Sequence, residues 1–243
     1  MKKVFLFDID GTLVDPGGAG SRALVRTFHA LHAIENGLSG LTLDGKTDPW
    51  IIRQALQPTL GVSLNTQHLQ EVMEHYVIFL QEEVKRSSNF RIMPGVKELL
   101  AALVARGDAL VGLATGNIEQ GARIKLEWAG IHAYFQLGGY GSESEERPEL
   151  VKIAIRKAER LLGRSLSREE VYVIGDTPLD ILSGREAQAS TVAVATGRYS
   201  VDELRPYSPD YLLPDLADYP AFLTEVYGEP GGQNSLDGRG QLS

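Results

Sequence analysis

Two short acidic clusters, each closing an apolar run, constrain this chain more than any other feature. Val4-Phe5-Leu6-Phe7 runs into Asp8-Ile9-Asp10-Gly11-Thr12, and Val171-Tyr172-Val173-Ile174 runs into Gly175-Asp176-Thr177-Pro178-Leu179-Asp180. Apolar runs this short read as strands buried on both faces, the habit of parallel sheets. Open α/β sheets bind their ligands beyond the carboxyl ends of such strands, so the two clusters are expected to meet there. Four carboxylates brought together repel one another unless a divalent cation compensates them. The combination points to a magnesium-dependent phosphoryl-transfer site.

The rest of the chain repeats the strand–helix rhythm. Strands are predicted over 3–8, 109–114, 171–175 and 191–195, with weaker candidates at 134–138 and 210–213. Between them, 95–106, 119–130 and 149–163 carry helical periodicity, and the last two end at Gly130 and Gly163. Alternation of this kind implies an α/β fold, a doubly wound parallel sheet. Residues 16–90 break the rhythm. Leu24, Phe28 and Leu31 mark one amphipathic helix, and Leu69, Val72, Met73, Tyr76, Val77, Leu80 and Val84 mark another, with a third expected over 48–57. Pro16-Gly17-Gly18 and Ser87-Ser88-Asn89 flank this block as connections. The division expected is a catalytic core of 1–15 and 91–227, an inserted helical cap of 16–90 serving as a mobile lid, and a disordered tail of 228–243.

Composition removes several alternatives. A net charge of -8 with no basic patch argues against nucleic acid or an anionic membrane as partner. The absence of cysteine excludes disulfides and thiolate metal sites and suits a reducing cytoplasm. The apolar stretch after Lys2-Lys3 is too short for a signal peptide, and no run approaches the roughly 20 residues of a membrane span.

The chemistry follows from residue type and spacing. Asp8 and Asp10 stand two apart, so in an extended segment both side chains point to one side, and Gly11 lets the backbone turn beside a ligand. One carboxylate of such a pair can attack phosphorus to form an aspartyl-phosphate. The other can protonate the leaving oxygen and later activate water.

With both motifs on view, the chain resembles the capped phosphatases of the haloacid dehalogenase superfamily, in particular the phosphoglycolate-phosphatase-like members. The resemblance implies a Rossmann-like core and Mg²⁺ as cofactor. It makes Asp8 the nucleophile and Asp10 the general acid/base. It assigns the metal to the Asp8 carboxylate, the Asp10 main-chain carbonyl and the Asp176 carboxylate, with Asp180 in support. Thr115 stands where the family carries its second motif, and its hydroxyl, with the Gly116 and Asn117 amides, is expected to hold phosphate oxygens. The third motif departs from the pattern. The family usually offers a Lys before a Pro; here Arg147 precedes Pro148, with Lys152 as the other candidate. A guanidinium stays charged and binds phosphate through two hydrogen bonds, so Arg147 is expected to clamp phosphate. The presence of Asp10 favours phosphate esters over dehalogenation, which needs no proton for an alkoxide.

In the cap, Gly45-Lys46-Thr47-Asp48 resembles a loop that such phosphatases point at the substrate. Thr47 is a candidate for the leaving group and Lys46 or Arg53 for a substrate carboxylate; Thr47 or Asp48 would equally serve as a helix cap before Pro49. His29 and His32 have no third partner at metal spacing, and Trp50 and Trp128 are expected to pack. The resulting expectation is a phosphatase for a small phosphorylated metabolite, phosphoglycolate-like or a sugar phosphate. A sugar-phosphate mutase and a phosphate- or partner-binding protein with weak turnover are the alternatives.

Overall fold

The computed structural model describes residues 2–61 and 63–228, so the Gly-rich tail beyond Gly228 lies outside the described residues. In chain order the elements are β1 (Lys3–Phe7), β2 (Val14–Asp15), α1 (Ala19–His32), α2 (Asp48–Leu60), α3 (Thr66–Arg86), β3 (Arg91–Ile92), α4 (Val96–Arg106), β4 (Ala109–Thr115), α5 (Glu119–Trp128), β5 (Gly138–Tyr140), α6 (Arg147–Leu162), β6 (Val171–Gly175), α7 (Pro178–Glu186), β7 (Ser190–Val194), α8 (Val201–Leu204), β8 (Tyr211–Leu213) and α9 (Tyr219–Tyr227).

Six strands form one parallel sheet in the order β5-β4-β1-β6-β7-β8. Strand β1 is central, and the strand order reverses beside it, which opens a crevice at its carboxyl end. Alternate residues of β1 serve opposite faces. Phe5 and Phe7 pack with Val96, Leu99 and Leu103 of α4, Leu126 of α5 and Phe222 of α9. Val4 and Leu6 pack with Val151, Ala154 and Ala158 of α6. Each such fully buried side chain contributes about 1.5–3 kcal/mol, so two covered faces hold β1 and the residues that follow it in a fixed position. This is the Rossmann-like doubly wound architecture.

The three helices between β2 and β3 pack around a cluster of their own. Leu24 and Phe28 of α1, Ile52 and Leu56 of α2, and Val72, Tyr76, Leu80 and Val84 of α3 fill it, and Ile118 and Ile124 join from the core side. The spacing of the α3 residues keeps one stripe facing inward along the whole helix. Local signals set the helix ends: Asn65 caps α3 by accepting from the His68 amide at 2.8 Å, and Gly61 ends α2 with φ 68°. Strands β2 and β3 pair antiparallel where the chain leaves and re-enters the core; two residues each are too few to leave a periodic signal.

Two expectations need correction. The strand anticipated at 134–138 lies at Gly138–Tyr140, after a helical turn at His132–Tyr134. Its position follows from Gly139, where a Cβ would collide with the Leu150 carbonyl, so only this Gly-containing stretch can lie against α6. Trp128, expected to pack, is 50% exposed at the end of α5.

Candidate active site

The crevice at the end of β1 is covered by the cap and forms a cavity of about 270 Å³. Its core wall carries Asp8, Asp10, Gly116, Asn117, Lys125, Arg147 and Asp176, and its cap wall includes Leu24, Lys46, Asp48, Ile51 and Tyr76. The two acidic clusters therefore meet, as the strand ends require. Asp8, Asp176 and Asp180 are all buried and offer carboxylate oxygens within 4.8 Å of one another. Gly11, with φ 84°, turns the chain between the clusters; a Cβ there would run into the Asp176 carboxylate. The Thr12 hydroxyl donates to Asp176 Oδ1 at 2.8 Å and fixes its orientation.

The charges in this cluster are under strain. Burial lifts the Asp8 carboxyl to about 7, against the lowering effect of Arg147 and with Asp180 and Asp10 adding to the rise. Burial likewise pushes Asp176 well above the usual carboxylate range, reinforced by Asp180 and Asp8. Hard oxygen donors at this spacing suit a hard divalent cation, and a cation is what would let all of them ionise together. Among the described residues this is the one group of three or more such side chains close enough to share an ion.

Of the two third-motif candidates, Arg147, at the start of α6, is the one the fold brings beside the acidic cluster. It is buried, contacts Asp180 Oδ1 and stands 3.7 Å from Asp8 Oδ2. Burial works against its charge, but Asp180 and Asp8 outweigh burial and hold the guanidinium charged. Lys152, one turn further on, faces outward and pairs with Glu186 at 3.0 Å. The acidic loop does not neutralise Arg147: Glu143 pairs with Lys157 and Glu145 with Arg53. Both oxygens of Asp180 are engaged, one by Arg147 and the other by the Thr177 hydroxyl at 2.6 Å and the Thr177 amide at 3.0 Å, in the capping box that opens α7.

Thr115 ends β4 with its hydroxyl fully buried, accepting from the Asn117 amide at 3.3 Å and from Asn117 Nδ2 at 2.9 Å. Gly116 and Asn117 reach the cavity wall; Thr115 stands behind them. Thr47 caps α2 by accepting from the Trp50 amide at 3.3 Å, is 1% exposed and does not line the cavity. The helix-cap expectation for this residue is thus the observed one. Lys46 does line the cavity, with its ammonium 4.7 Å from the Trp50 ring. Arg53 is held by Glu145 at 2.7 Å.

One residue absent from the sequence reading, Lys125, and one read there only as a helix cap, Asp48, belong here. Lys125 of α5 is 3% exposed and holds Asp10 through both carboxylate oxygens, at 2.7 and 2.6 Å. Asp48 of the cap donates its amide to the Gly116 carbonyl at 2.8 Å and accepts from the Ile118 amide at 2.9 Å. The signal for Lys125 was a charge one position from Leu126 and three from Ala122, on the buried face of an amphipathic helix.

The same arrangement of chain is found elsewhere. The family model of haloacid dehalogenase-like hydrolases matches residues 2–188. A probable phosphatase, IndB, from Dickeya dadantii (strain 3937) is 27% identical over 223 residues, covering 88% of this chain and 90% of its own. The pyrophosphatase PpaX of Oceanobacillus iheyensis is 26% identical over 220 residues, 89% of this chain and 94% of its own. Among solved structures, a predicted phosphoglycolate phosphatase from Haemophilus somnus 129pt superposes with a TM-score of 0.68 at 21% identity, over 91% of this chain and 98% of the other. That last likeness is one of fold.

Proposed function

The chain belongs to the haloacid dehalogenase-like hydrolases, and from that premise we propose that it is a Mg²⁺-dependent phosphatase that hydrolyses a small phosphomonoester through a phosphorylated Asp8. The observation that carries this reading is the buried trio Asp8, Asp176 and Asp180 with Arg147 beside it, of which Asp8, Asp176 and Arg147 line one capped cavity.

In this reading Asp8 attacks phosphorus, because its carboxylate sits at the end of the central strand and faces the cavity. Arg147, 3.7 Å from Asp8, meets the phosphate oxygens as they approach and offsets their charge. The Gly116 backbone lines the same wall and donates its amide to a remaining oxygen, while Asn117, its own donors taken by Asp10 and Thr115, holds the wall in shape. Asp10 protonates the departing alkoxide and then takes a proton from water as the phosphoenzyme is hydrolysed. Asp8, Asp176 and the Asp10 carbonyl, with Asp180 in support, would hold Mg²⁺, which when bound would supply the positive charge that lets a carboxylate and a phosphate dianion come together. The closed cap keeps bulk water away. A cavity of about 270 Å³ suits a leaving group of a few carbons, of the phosphoglycolate or sugar-phosphate class. No helix among the described residues is long and apolar enough to cross a membrane, and a cytoplasmic metabolite is the substrate we place here.

The test is release of phosphate from a panel of small phosphomonoesters, with Mg²⁺ and with EDTA, in wild type and Asp8→Asn. The expected result is metal-dependent turnover that Asp8→Asn lowers by roughly 10⁴-fold or more. Turnover that survives EDTA, or survives in the mutant, overturns the reading.

A further inference from the structure

Lys125 satisfies every hydrogen-bonding capacity it has within one small network. An ammonium offers three protons. Two go to Asp10, at 2.7 Å to Oδ1 and 2.6 Å to Oδ2, and the third goes to Asn117 Oδ1 at 2.6 Å. Asn117 in turn uses both amide protons, at 2.8 Å to Asp10 Oδ2 and 2.9 Å to Thr115 Oγ1. Its orientation is unambiguous, since the reverse would set an NH₂ group against an ammonium. Asp10 is thereby tied through both oxygens while 39% of its side chain still faces the cavity. Lys125 has no proton left for a substrate, so it is not a binding group for phosphate or leaving group.

Stability does not explain a lysine in this place. Lysine is almost never fully buried unless paired, and a buried ion pair is weak evidence for stabilisation, because desolvation offsets the attraction. The surroundings of Lys125 come from both parts of the molecule. Its own helix α5 belongs to the core, and the cap closes over it: the Gly20 backbone of α1 passes beside the ammonium and beside the Tyr76 hydroxyl of α3, and Asp48 of α2 stands near enough for the two charges to interact. Closing the cap therefore takes water away from the Lys125–Asp10 pair and strengthens it.

We infer that Lys125 is the positioning residue for Asp10: it holds this carboxyl aimed into the cavity once the cap has closed, and the protonation of the leaving group depends on it. The inference rests on the phosphatase reading above. The proton balance is simple. The P–O bond to the leaving oxygen breaks as the bond to Asp8 forms, and the proton of the Asp10 carboxyl moves to that oxygen. Lys125 gains and loses nothing.

A positioning role has a signature that a structural one lacks. An alkyl leaving group needs the proton and p-nitrophenolate does not. In Lys125→Met, kcat/KM, which reports the first phosphoryl transfer, is expected to fall roughly 10²-fold or more for glycerol phosphate and less than about 10-fold for p-nitrophenyl phosphate. Lys125→Arg, which keeps charge and donors, is expected to recover part of the loss for the alkyl ester only. Far-UV circular dichroism checks the fold of each variant, and Lys125→Gln takes the place of Met should Met not fold. Equal losses for both esters, or full activity in Lys125→Met, overturn the inference while leaving the phosphatase standing. A wild type that hydrolyses neither these nor any other small phosphomonoester overturns both.

Discussion

At the core side of the cavity, Asp8, Asp176 and Asp180 crowd within 4.8 Å, burial lifts Asp8 to about 7, and burial also pushes Asp176 well above the usual carboxylate range. On the cap wall, Asp44 and Asp48 stand apart, each with its own partner: Asp44 pairs with Arg198 of the core at 2.9 Å, and Asp48 accepts from the Ile118 amide. The first wall sets three carboxylates against a single guanidinium, that of Arg147, and so carries uncompensated like charge. The second is complete when the cap is down, because its partners belong to the core. Acids of the same type thus serve ligand binding on one wall and docking of the cap on the other.

Substitutions can break this contrast. The largest effect is expected at the core wall. Asp176→Asn keeps an acceptor for Thr12 but removes one of the crowded charges. Because Asp176 in the fold is raised well above its usual range, its ionised form lowers stability once the pH passes its unfolded value, and Asn imitates the neutral form. The variant should melt at a higher temperature than wild type at pH 8 in EDTA, lose the stabilisation Mg²⁺ gives, and lose at least about 10³-fold in activity. A lower melting temperature in EDTA would show that the carboxylates do not repel.

Asp48, on the cap wall, gives a smaller effect, felt in stability and not in activity. Burial raises its carboxyl to about 6, although Lys125 and the Ile118 amide act to lower it. A raised folded value means that stability is complete below the unfolded value and declines as pH rises through about 6. Asp48→Asn, which can still accept from Ile118, is therefore expected to be more stable than wild type at pH 7.5 by on the order of 1–3 kcal/mol, with the gap closing at pH 4. Thermal melts across that range decide it. Activity should persist, since Asn keeps the docking hydrogen bond. A pH-independent difference would mean that Asp48 is not buried as charge.

The smallest effect is expected at the rim. Arg53 and Glu145 join cap to core at 2.7 Å, but both are part-exposed. Arg53→Gln should cost about 0.2–1 kcal/mol and act mainly on KM, because the closed cap loses one tie while the core wall is untouched. A fall in kcat with KM unchanged would place Arg53 in the chemistry instead.

Much of the core wall was legible in the sequence. Asp8, Thr115 and Asp176 each end or follow an apolar strand, and a strand end in a parallel sheet has one place to be. Arg147 was legible as a position and not as a partner. Only the fold shows it against Asp180 and Asp8 while Lys152 turns outward to Glu186. Thr47 was legible twice over, as a substrate contact and as a cap, and the fold shows the cap, with the residue 1% exposed. Lys125 was not read at all, and Asp48 only as a helix cap. Lys125 looks in sequence like one more charge on a surface helix, and Asp48 like the ordinary acid of a first helical turn.

What the sequence alone determined is therefore the set of elements and their punctuation: buried apolar runs, acids directly after them, and a helical insertion between the first strand and the rest. These are properties of a few neighbouring residues, and local chemistry fixes them. What only the tertiary structure decided is which charges face each other. Asp10 is 115 residues from Lys125 and meets it at 2.6 Å; Asp48 is 70 residues from Ile118 and meets it at 2.9 Å. Hydrogen bonds act over about 3 Å, a distance set by the rotation of α5 against β1 and by the seating of the cap, and no spacing along the chain records either.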